Sequence, residues 1–202
     1  MRTLIALIVV SLAIAAVPLR GQDWTKESKD RTKRTALHEA AQLVRGDSGK
    51  WNDDAQLLHA PPIAKKPAKM SLDAWADLLL KKKPAPAGMD DNWLLFRTAQ
   101  LDDNDRIWVE RIERRGQVIS VVANLAKWQG KYFRNFTGYE VIGVNLGKLE
   151  PGTYEAKWIL QPLVFTKFDG DGKALNTNWP KDERPADKKS TEMRLTFTVN
   201  KK

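Results

Sequence analysis

Apolar and polar residues alternate with a period of two along the last part of the chain, from Asn92 onward. The alternation is clearest in TEMRLTFTV, residues Thr191–Val199. Successive side chains of a β-strand point to opposite faces, so this rhythm predicts a strand with one buried and one solvated face. The expected inward residues are Met193, Leu195, Phe197 and Val199, and the expected outward residues are Glu192, Arg194, Thr196 and Thr198.

The same rhythm recurs in other segments of residues 92–202. It is present in NWLLFRTAQL, in DRIWVERIERRGQVISVVANL with a turn at its Arg-Arg-Gly, in YEVIGVNL and in TYEAKWILQPLVF. Pro162 lies inside the last segment and predicts a bend or an edge position, because proline has no amide hydrogen to donate to a neighbouring strand. With an extra strand near residues 130–136, the pattern predicts six or seven strands and a mainly β fold, an antiparallel β-sandwich.

One short segment adds a family resemblance to this pattern. LGKLEPGTYEAKW resembles the entry to a late strand in immunoglobulin-like, fibronectin-like and transthyretin-like sandwiches, with matches at Leu149, Pro151, Gly152 and Tyr154. The resemblance implies an immunoglobulin-like architecture in which Pro151 shapes a corner and the Tyr154 side chain bonds back to it. It covers this segment alone, it implies architecture rather than activity, and the cysteine pair of antibody domains is absent.

The first 21 residues have the composition of a secretory signal peptide. Arg2 precedes the apolar run Leu4–Val17, which is shorter than a membrane-spanning helix. Small residues follow, so we expect cleavage between Ala15 and Gly21 and a secreted or periplasmic protein that is not membrane-bound afterwards. An uncleaved membrane anchor is the alternative, and Pro18 argues against it.

The chain contains no cysteine, which excludes disulfides, thiol catalysis, cysteine metal sites and the lipid-bearing cysteine of a bacterial lipoprotein. Exported eukaryotic domains often use disulfides, so the composition favours a bacterial origin. Lysine and arginine number 34 against 25 acidic residues, a net charge of +9 that becomes +7 if Arg2 and Arg20 leave with the signal peptide. This excess is spread along the chain rather than concentrated in a stripe, so we expect no nucleic-acid partner.

Between the signal peptide and the β region, the sequence predicts sparse helices on linkers. Residues 22–59 form a polar and helical extension, 60–70 a Pro/Lys linker, 71–81 a short helix capped by Ser71, and 82–91 a second linker. Within the extension, residues 22–34 are expected to be solvated. The helical stretches expected there are TALHEAAQLV, with an apolar face of Leu37, Ala40, Ala41 and Val44, and a shorter piece in SGKWNDDAQLL.

Metal sites have little support in the sequence. His38-Glu39 opens a zinc-protease pattern, but Gln42 occupies the position of the second histidine, and zinc needs three or four ligands. Asp169 and Asp171 fit the start of a calcium loop, although the residues that follow do not continue it. We therefore expect no metal and no cofactor, with Asp169 and Asp171 as weak calcium candidates.

Catalytic chemistry is also weakly supported. Hydrolysis by acid/base catalysis needs two positioned carboxylates, and Asp102, Asp103 and Asp105 are close in sequence, although a hairpin loop explains them equally well. Glu110 and Glu113 alternate with arginines, as on a solvated strand. No nucleophile-elbow or nucleotide-binding glycine pattern is present. A hydrolase that uses loop carboxylates is kept as an alternative, and the main expectation is that the protein is not an enzyme.

Two aromatic segments are candidate contact surfaces. KWQGKYFRNFTGYEV interleaves aromatic rings with basic residues, a combination that can stack on sugars and hold acidic groups. The stretch from Thr166 to Lys189 is long for a loop, and long loops on a rigid scaffold are often functional. For both segments, packing into or over the sandwich is the competing interpretation. The candidate ligand-binding residues are Trp128, Tyr132, Arg134, Tyr139 and Trp179.

These observations together predict an exported, non-catalytic binding or interaction module of the cell envelope or extracellular space. Its expected partner is an envelope protein or an acidic glycan, recognised by shape and aromatic contacts with weak electrostatic attraction. The alternatives are the hydrolase described above and a structural accessory of an envelope complex.

Overall fold

The computed structural model describes residues 24–27, 43–44, 55–60, 69–71, 74, 78, 80, 92–102, 104–131, 137–169 and 178–201. The strands within these residues are, in chain order, β1 (Trp24–Glu27), β2 (Leu43–Val44), β3 (Gln56–Ala60), β4 (Asn92–Arg97), β5 (Leu101–Asp102), β6 (Arg106–Arg115), β7 (Val118–Trp128), β8 (Thr137–Gly147), β9 (Gly152–Phe165), β10 (Arg184–Pro185) and β11 (Thr191–Val199). The prediction of a mainly β protein is confirmed.

The strands form two sheets with a shared core. Sheet 1 has the order β1-β6-β7-β9-β10, with β11 also paired to β9; sheet 2 has the order β2-β8-β4-β3, with β5 also paired to β8. The rings of Phe96 in sheet 2 and Trp158 in sheet 1 are stacked 4.5 Å apart in this core. In β11, Met193, Leu195, Phe197 and Val199 contribute to the core while Glu192, Arg194, Thr196 and Thr198 are exposed, as the alternation predicts.

Sheet 1 is mixed rather than antiparallel. β7 and β9 are parallel along eleven residue pairs, from Val118 beside Glu155 to Trp128 beside Phe165. The reason is topological: β8, which lies between them in the chain, belongs to sheet 2, so the chain crosses to the other sheet and returns in the same direction. This corrects the purely antiparallel expectation, since a pattern of alternation does not specify strand direction.

Pro162 lies inside β9, paired with β7 on one side and between the pairing regions of β11 and β10 on the other. Its carbonyl accepts a hydrogen bond from the Ala186 amide at 3.0 Å, on the side of β9 that faces β10 and β11. The N–H and C=O of one residue point to the same side of a strand. The N–H that proline lacks would therefore point into the gap between β11 and β10. Its absence removes no hydrogen bond between β9 and β7.

Sheet 2 is buried on both faces around β4. Leu94 and Phe96 face the shared core, whereas Trp93 and Leu95 belong to a second apolar cluster that Met70 and Leu80 cover. A strand buried on both faces has no polar side, which explains the apolar run in NWLLFR.

The segments before Asn92 include strands that the sequence does not predict. β1 pairs with β6, although residues 22–34 are predicted to be solvated; β2 pairs with β8 and β3 with β4, although helical pieces are predicted there. Backbone pairing with an existing sheet edge outweighs local helix preference in such short pieces. In the predicted 71–81 helix, Ala74, Leu78 and Leu80 are helical, and the Ser71 hydroxyl accepts the Ala74 amide at 3.2 Å, as an N-cap does.

The corner before β9 is closed by a side-chain hydrogen bond. The Tyr154 hydroxyl donates to the carbonyl of Glu150 at 2.8 Å, and the buried Arg114 guanidinium donates to the same hydroxyl at 3.4 Å. The first bond is the one that the LEPGTY segment predicts. The second shows that Arg114, expected on a solvated surface, instead lies in the interior over the Tyr154 ring.

Tyr154→Phe should lower the free energy of unfolding by about 1–3 kcal/mol, because it removes the bond to Glu150 and leaves a buried arginine with one acceptor fewer. Urea denaturation followed by circular dichroism measures the change. Thr153→Val, on the exposed face of the same strand, is the control and should have a small effect. Equal stability of Tyr154→Phe and the parent chain would show that the corner bond contributes nothing.

His59 connects the edges of the two sheets. Its ring stacks on Phe197 with a centroid distance of 4.1 Å, and its Nε2 lies 3.1 Å from Oδ1 of Asn92. Burial lowers the pKa of His59 below its ordinary value of 6.5, and the hydrogen bond with Asn92 opposes this only in part. The folded state therefore favours the neutral ring.

The free energy of unfolding should consequently fall as the pH drops from about 7 through the unfolded-state pKa of His59, since the unfolded chain binds the proton more readily. His59→Phe keeps an aromatic ring on Phe197 and removes the titrating group, so its stability should depend less on pH in this window. Urea denaturation series at several pH values compare the two chains. Parallel stability curves for both chains would contradict the assignment.

Candidate functional site

Five aromatic rings gather on the outer face of sheet 1, at the end where β7 and β9 finish. This aromatic cluster consists of Trp108, Trp128, Phe165, Phe168 and Trp179. Trp108 lies between Ile107 and Val109, which face the shared core, so alternation along β6 sends it outward. The parallel register places Trp128 beside Phe165 on that same face.

The cluster has a buried base and a half-exposed rim. Trp108 and Phe165 are buried, whereas Trp128, Phe168 and Trp179 keep part of their surface in solvent. Trp128 stacks on Phe168 at 5.0 Å and meets Phe165 edge-on at 5.2 Å, while Trp179 meets Trp108 edge-on at 5.7 Å. Offset and edge-on pairs of this kind contribute about 0.5–1.5 kcal/mol each beyond the area they bury.

Trp128 also lies against the backbone of Gly130. A Cβ atom added at Gly130 would overlap the six-membered part of the indole ring. Glycine at this position therefore allows the chain to turn closely around the tryptophan, and a larger residue would displace the ring.

Asp105 fixes the end of β7 beneath the rim. Its carboxylate is 1% exposed and accepts hydrogen bonds from Lys127 Nζ at 2.6 Å, from the Trp128 amide at 3.0 Å and from the Asp102 amide at 2.9 Å. Burying a carboxylate is costly unless its oxygens are paired in this way. Asp105 is therefore a structural anchor for Trp128, which corrects the interpretation of this acidic group as only a hairpin loop.

Arg106 attaches the loop after β9 to the same end of the sheet. Its Nε donates to the carbonyl of Asn178 at 3.2 Å, its Nη1 donates to the carbonyl of Asp105 at 2.8 Å, and its guanidinium lies 5.0 Å from the Phe168 ring centroid. The residue is 9% exposed. No local pattern predicts this role, because the contact with the loop spans 72 positions.

Glu110 is partly exposed and has contacts that the sequence does not predict. Its Oε2 accepts the indole N–H of Trp108 at 3.1 Å and the Asn124 amide at 2.8 Å, so it orients the base of the cluster. It lies at an irregularity in the pairing between β6 and β7, where one extra residue shifts the register. A β-bulge of this kind is invisible to an alternation pattern.

Hydrogen bonds hold the described part of the 166–189 loop close to the sheet. The Asp169 amide donates to the carbonyl of Trp179 at 2.9 Å, and Asp169 Oδ1 accepts the Trp179 amide at 2.8 Å. The Asp182 carboxylate accepts the Thr166 hydroxyl at 2.6 Å and the Thr166 and Lys167 amides at 2.9 Å. The loop thus positions Phe168 and Trp179 over the sheet.

The structure brings two of the candidate ligand-binding residues together. Trp128 and Trp179 belong to the same cluster, while Tyr132 and Arg134 lie outside the described residues. Tyr139 is 5% exposed and packs in the apolar cluster behind sheet 2, with its ring 5.6 Å from the Arg97 guanidinium. Met70 and Leu80 pack against this cluster, so Tyr139 is a core residue rather than part of an exposed contact surface.

Asp171, one of the two calcium candidates, also lies outside the described residues, and Asp169 uses one carboxylate oxygen on the Trp179 amide. Within the described ranges, no group of three or more histidine, aspartate or glutamate side chains could hold a metal ion. No helix in the same ranges has the length and apolar composition of a membrane span.

Comparison of the chain with protein-family models, with curated proteins and with solved structures finds no match. The chemistry of the cluster itself is therefore the basis for interpreting the site.

The carboxylate of Asp182 should make the loop sensitive to acid. Hydrogen bonds from the Thr166 hydroxyl and amide, and from the Lys167 amide, lower the pKa of Asp182 from 3.8 to about 2. The anion is favoured in the folded loop, so its contribution is complete above the unfolded pKa and is lost as the pH falls from about 4 towards 2. Asp182→Asn should release the loop even at neutral pH.

Hydrogen exchange followed by NMR at about pH 6 tests this, because anionic Asp182 should protect the Thr166 and Lys167 amides there. Asp182→Asn should speed their exchange, and Asp187→Asn, also in the loop and exposed, is the control. Unchanged protection in Asp182→Asn would mean that other contacts close the loop.

Proposed function

We propose that the chain is an exported, non-catalytic binding module of the cell envelope or extracellular space, built on an immunoglobulin-like sandwich. Its contact surface is the rim of the aromatic cluster: Trp128, Phe168 and Trp179. Export is proposed on the composition of residues 1–21, which is typical of a secretory signal peptide.

The observation that carries the proposal is the combination of half-exposed rings with a rigid support. Trp128 is held by the Asp105 carboxylate and Trp179 by Asp169, and both rings stand on buried aromatic partners. Rings fixed in this way offer a large contact area without losing conformational freedom on binding. Tryptophan also presents an apolar face and a polar N–H, which suits both sugars and protein surfaces.

The charges around the rim favour an anionic partner. Lys127 is 42% exposed even though it pairs with Asp105, and Lys131 is exposed two residues beyond Gln129. The mature chain would carry a net charge of +7 in addition. An acidic glycan, or an acidic patch on an envelope protein, matches these features through ring stacking and weak long-range attraction.

The hydrolase alternative gains no support from Asp105. General acid/base catalysis requires carboxylates that can reach a substrate, whereas Asp105 is 1% exposed and uses both oxygens on protein donors. A binding role uses the neighbouring rings as they stand. The structural-accessory alternative differs from the binding role in predicting no loss of capture when the rim is changed.

Trp128→Ala and Trp179→Ala should each weaken partner capture by about 2 kcal/mol or more, close to thirtyfold in Kd, because fixed tryptophans dominate contact surfaces. Gly130→Ala should have a similar effect by displacing the Trp128 ring. The measurement is crosslinking capture from the native envelope by purified mature chain, with circular dichroism of each variant. Protease or periodate treatment of the envelope distinguishes a protein partner from a glycan.

Arg115→Ala, exposed at the opposite end of sheet 1 where β6 finishes, is the control and should capture normally. If Trp128→Ala and Trp179→Ala fold as the parent does and retain every partner, the rim is not the contact surface.

A further inference from the structure

β11 is the outermost strand along much of sheet 1. It pairs with β9 over nine residues, from Thr191 beside Leu160 to Val199 beside Gly152. Among the described residues, no strand pairs with its second edge. An open edge of this length is a template for adding another strand.

The hydrogen bonds of β9 show which groups point towards that edge. The Glu155 amide and the Phe165 carbonyl bond on the β7 side, to Gln117 and Gln129, whereas the Pro162 carbonyl bonds on the other side. Backbone N–H and C=O groups alternate in direction from one residue to the next along a strand. Those of the even-numbered residues of β9 therefore point towards β11.

When two residues lie opposite each other in an antiparallel pair, their backbone N–H and C=O groups either both point towards the partner strand or both point away from it. Tyr154, Ala156 and Trp158 lie opposite Phe197, Leu195 and Met193, so the backbone groups of those three β11 residues are used inward. The amides and carbonyls that point towards the open edge belong to the intervening residues, Glu192, Arg194, Thr196 and Thr198.

The charges at the two ends of the strand decide which occupant fits. Lys188 and Lys189 precede β11, and Lys201 follows it, all of them exposed. If a second copy paired antiparallel across all nine residues, Thr191 would face Val199 of the other chain and Lys189 would face its Lys201. Like charges placed opposite each other are destabilising, so the ends of the strand disfavour self-pairing.

We propose that the open edge of β11 binds an extended segment of a partner protein as an added strand, and that this segment carries acidic residues at both ends. The backbone groups of Glu192, Arg194, Thr196 and Thr198 provide the hydrogen bonds, and the flanking lysines select the acidic ends. Strand addition of this kind takes its affinity from the main chain and its specificity from side chains. This surface is separate from the aromatic cluster and does not depend on the proposed function.

The probe is a labelled peptide of alternating threonine and valine with an aspartate pair at each end, and the control peptide has lysine pairs instead. Fluorescence anisotropy with the mature chain at low salt should show binding of the aspartate peptide that is about tenfold tighter than that of the lysine peptide and weakens with added salt. No binding of the aspartate peptide at about millimolar concentration would overturn the proposal.

Thr196→Pro and Thr196→Ala form a matched pair of variants. Both lose the threonine side chain, but only proline removes the outward amide, and the pairing with β9 does not use that amide. Thr196→Pro should weaken peptide binding about tenfold relative to Thr196→Ala, since it removes one bond and places the ring at the edge. Equal binding by the two variants would overturn the proposal.

The charge reversal Lys188→Glu with Lys189→Glu provides a second test that leaves β11 unchanged, in case Thr196→Pro does not fold. It should shift the preference from the aspartate peptide towards the lysine peptide, and an unchanged preference would overturn the proposal. Trp128→Ala should bind the peptide as the parent does, which separates this surface from the aromatic rim.

Two measurements on the chain without peptide complete the test. The amides of Glu192, Arg194, Thr196 and Thr198 should exchange rapidly with solvent and become protected when the aspartate peptide is added. Slow exchange before addition would mean that the edge is already covered. Concentration-dependent dimerisation that Thr196→Pro abolishes would identify a second copy as the occupant; either result overturns the proposal.

Discussion

The parallel register between β7 and β9 determines which side chains meet on each face of sheet 1. In this register Val121 lies beside Trp158 on the inner face, and Trp128 lies beside Phe165 on the outer face. A shift of one residue would reverse the faces of a whole strand. The core and the aromatic cluster therefore depend on the same backbone pairing. The strands that pack the core also fix the positions of Trp128 and Phe165 in the cluster.

Buried polar groups complete this arrangement where the strands end. Asp105, Arg106 and Arg114 are each at most 9% exposed, and each makes hydrogen bonds that join separate segments. Such groups contribute little net stability, because their desolvation offsets most of the attraction. Their effect is on geometry: an alternative loop position would leave a buried charge without its partners. This explains how a long loop can hold Trp179 in one place.

The sequence predicted the parts of the fold that depend on local pattern. The inward and outward residues of β11 follow from alternation. The turn predicted at Arg-Arg-Gly lies at Gly116 and Gln117, where Gly116 adopts a φ of 59°. The direction of β9 relative to β7, the bulge at Glu110 and the burial of Arg114 depend on contacts between distant segments, which a local pattern does not contain. The sequence identifies Trp128 and Trp179 as candidate contact residues. That they belong to one cluster depends on the strand register, which a local pattern does not contain.

The segments before Asn92 change how the edges of the sandwich should be understood. β1 covers an edge of β6, β2 part of an edge of β8, and β3 an edge of β4, so each of these short strands satisfies backbone groups that would otherwise be open. Their brevity explains why sequence pattern misses them: two to five residues contain too little alternation to predict a strand.

Three sheet edges are thus paired by the chain itself, whereas β11 has no such partner among the described residues and carries lysines at both ends. Lysine is a residue by which proteins discourage unwanted strand pairing. Here its position at the ends, with threonines between, leaves the middle of the edge open to a partner whose own charges match.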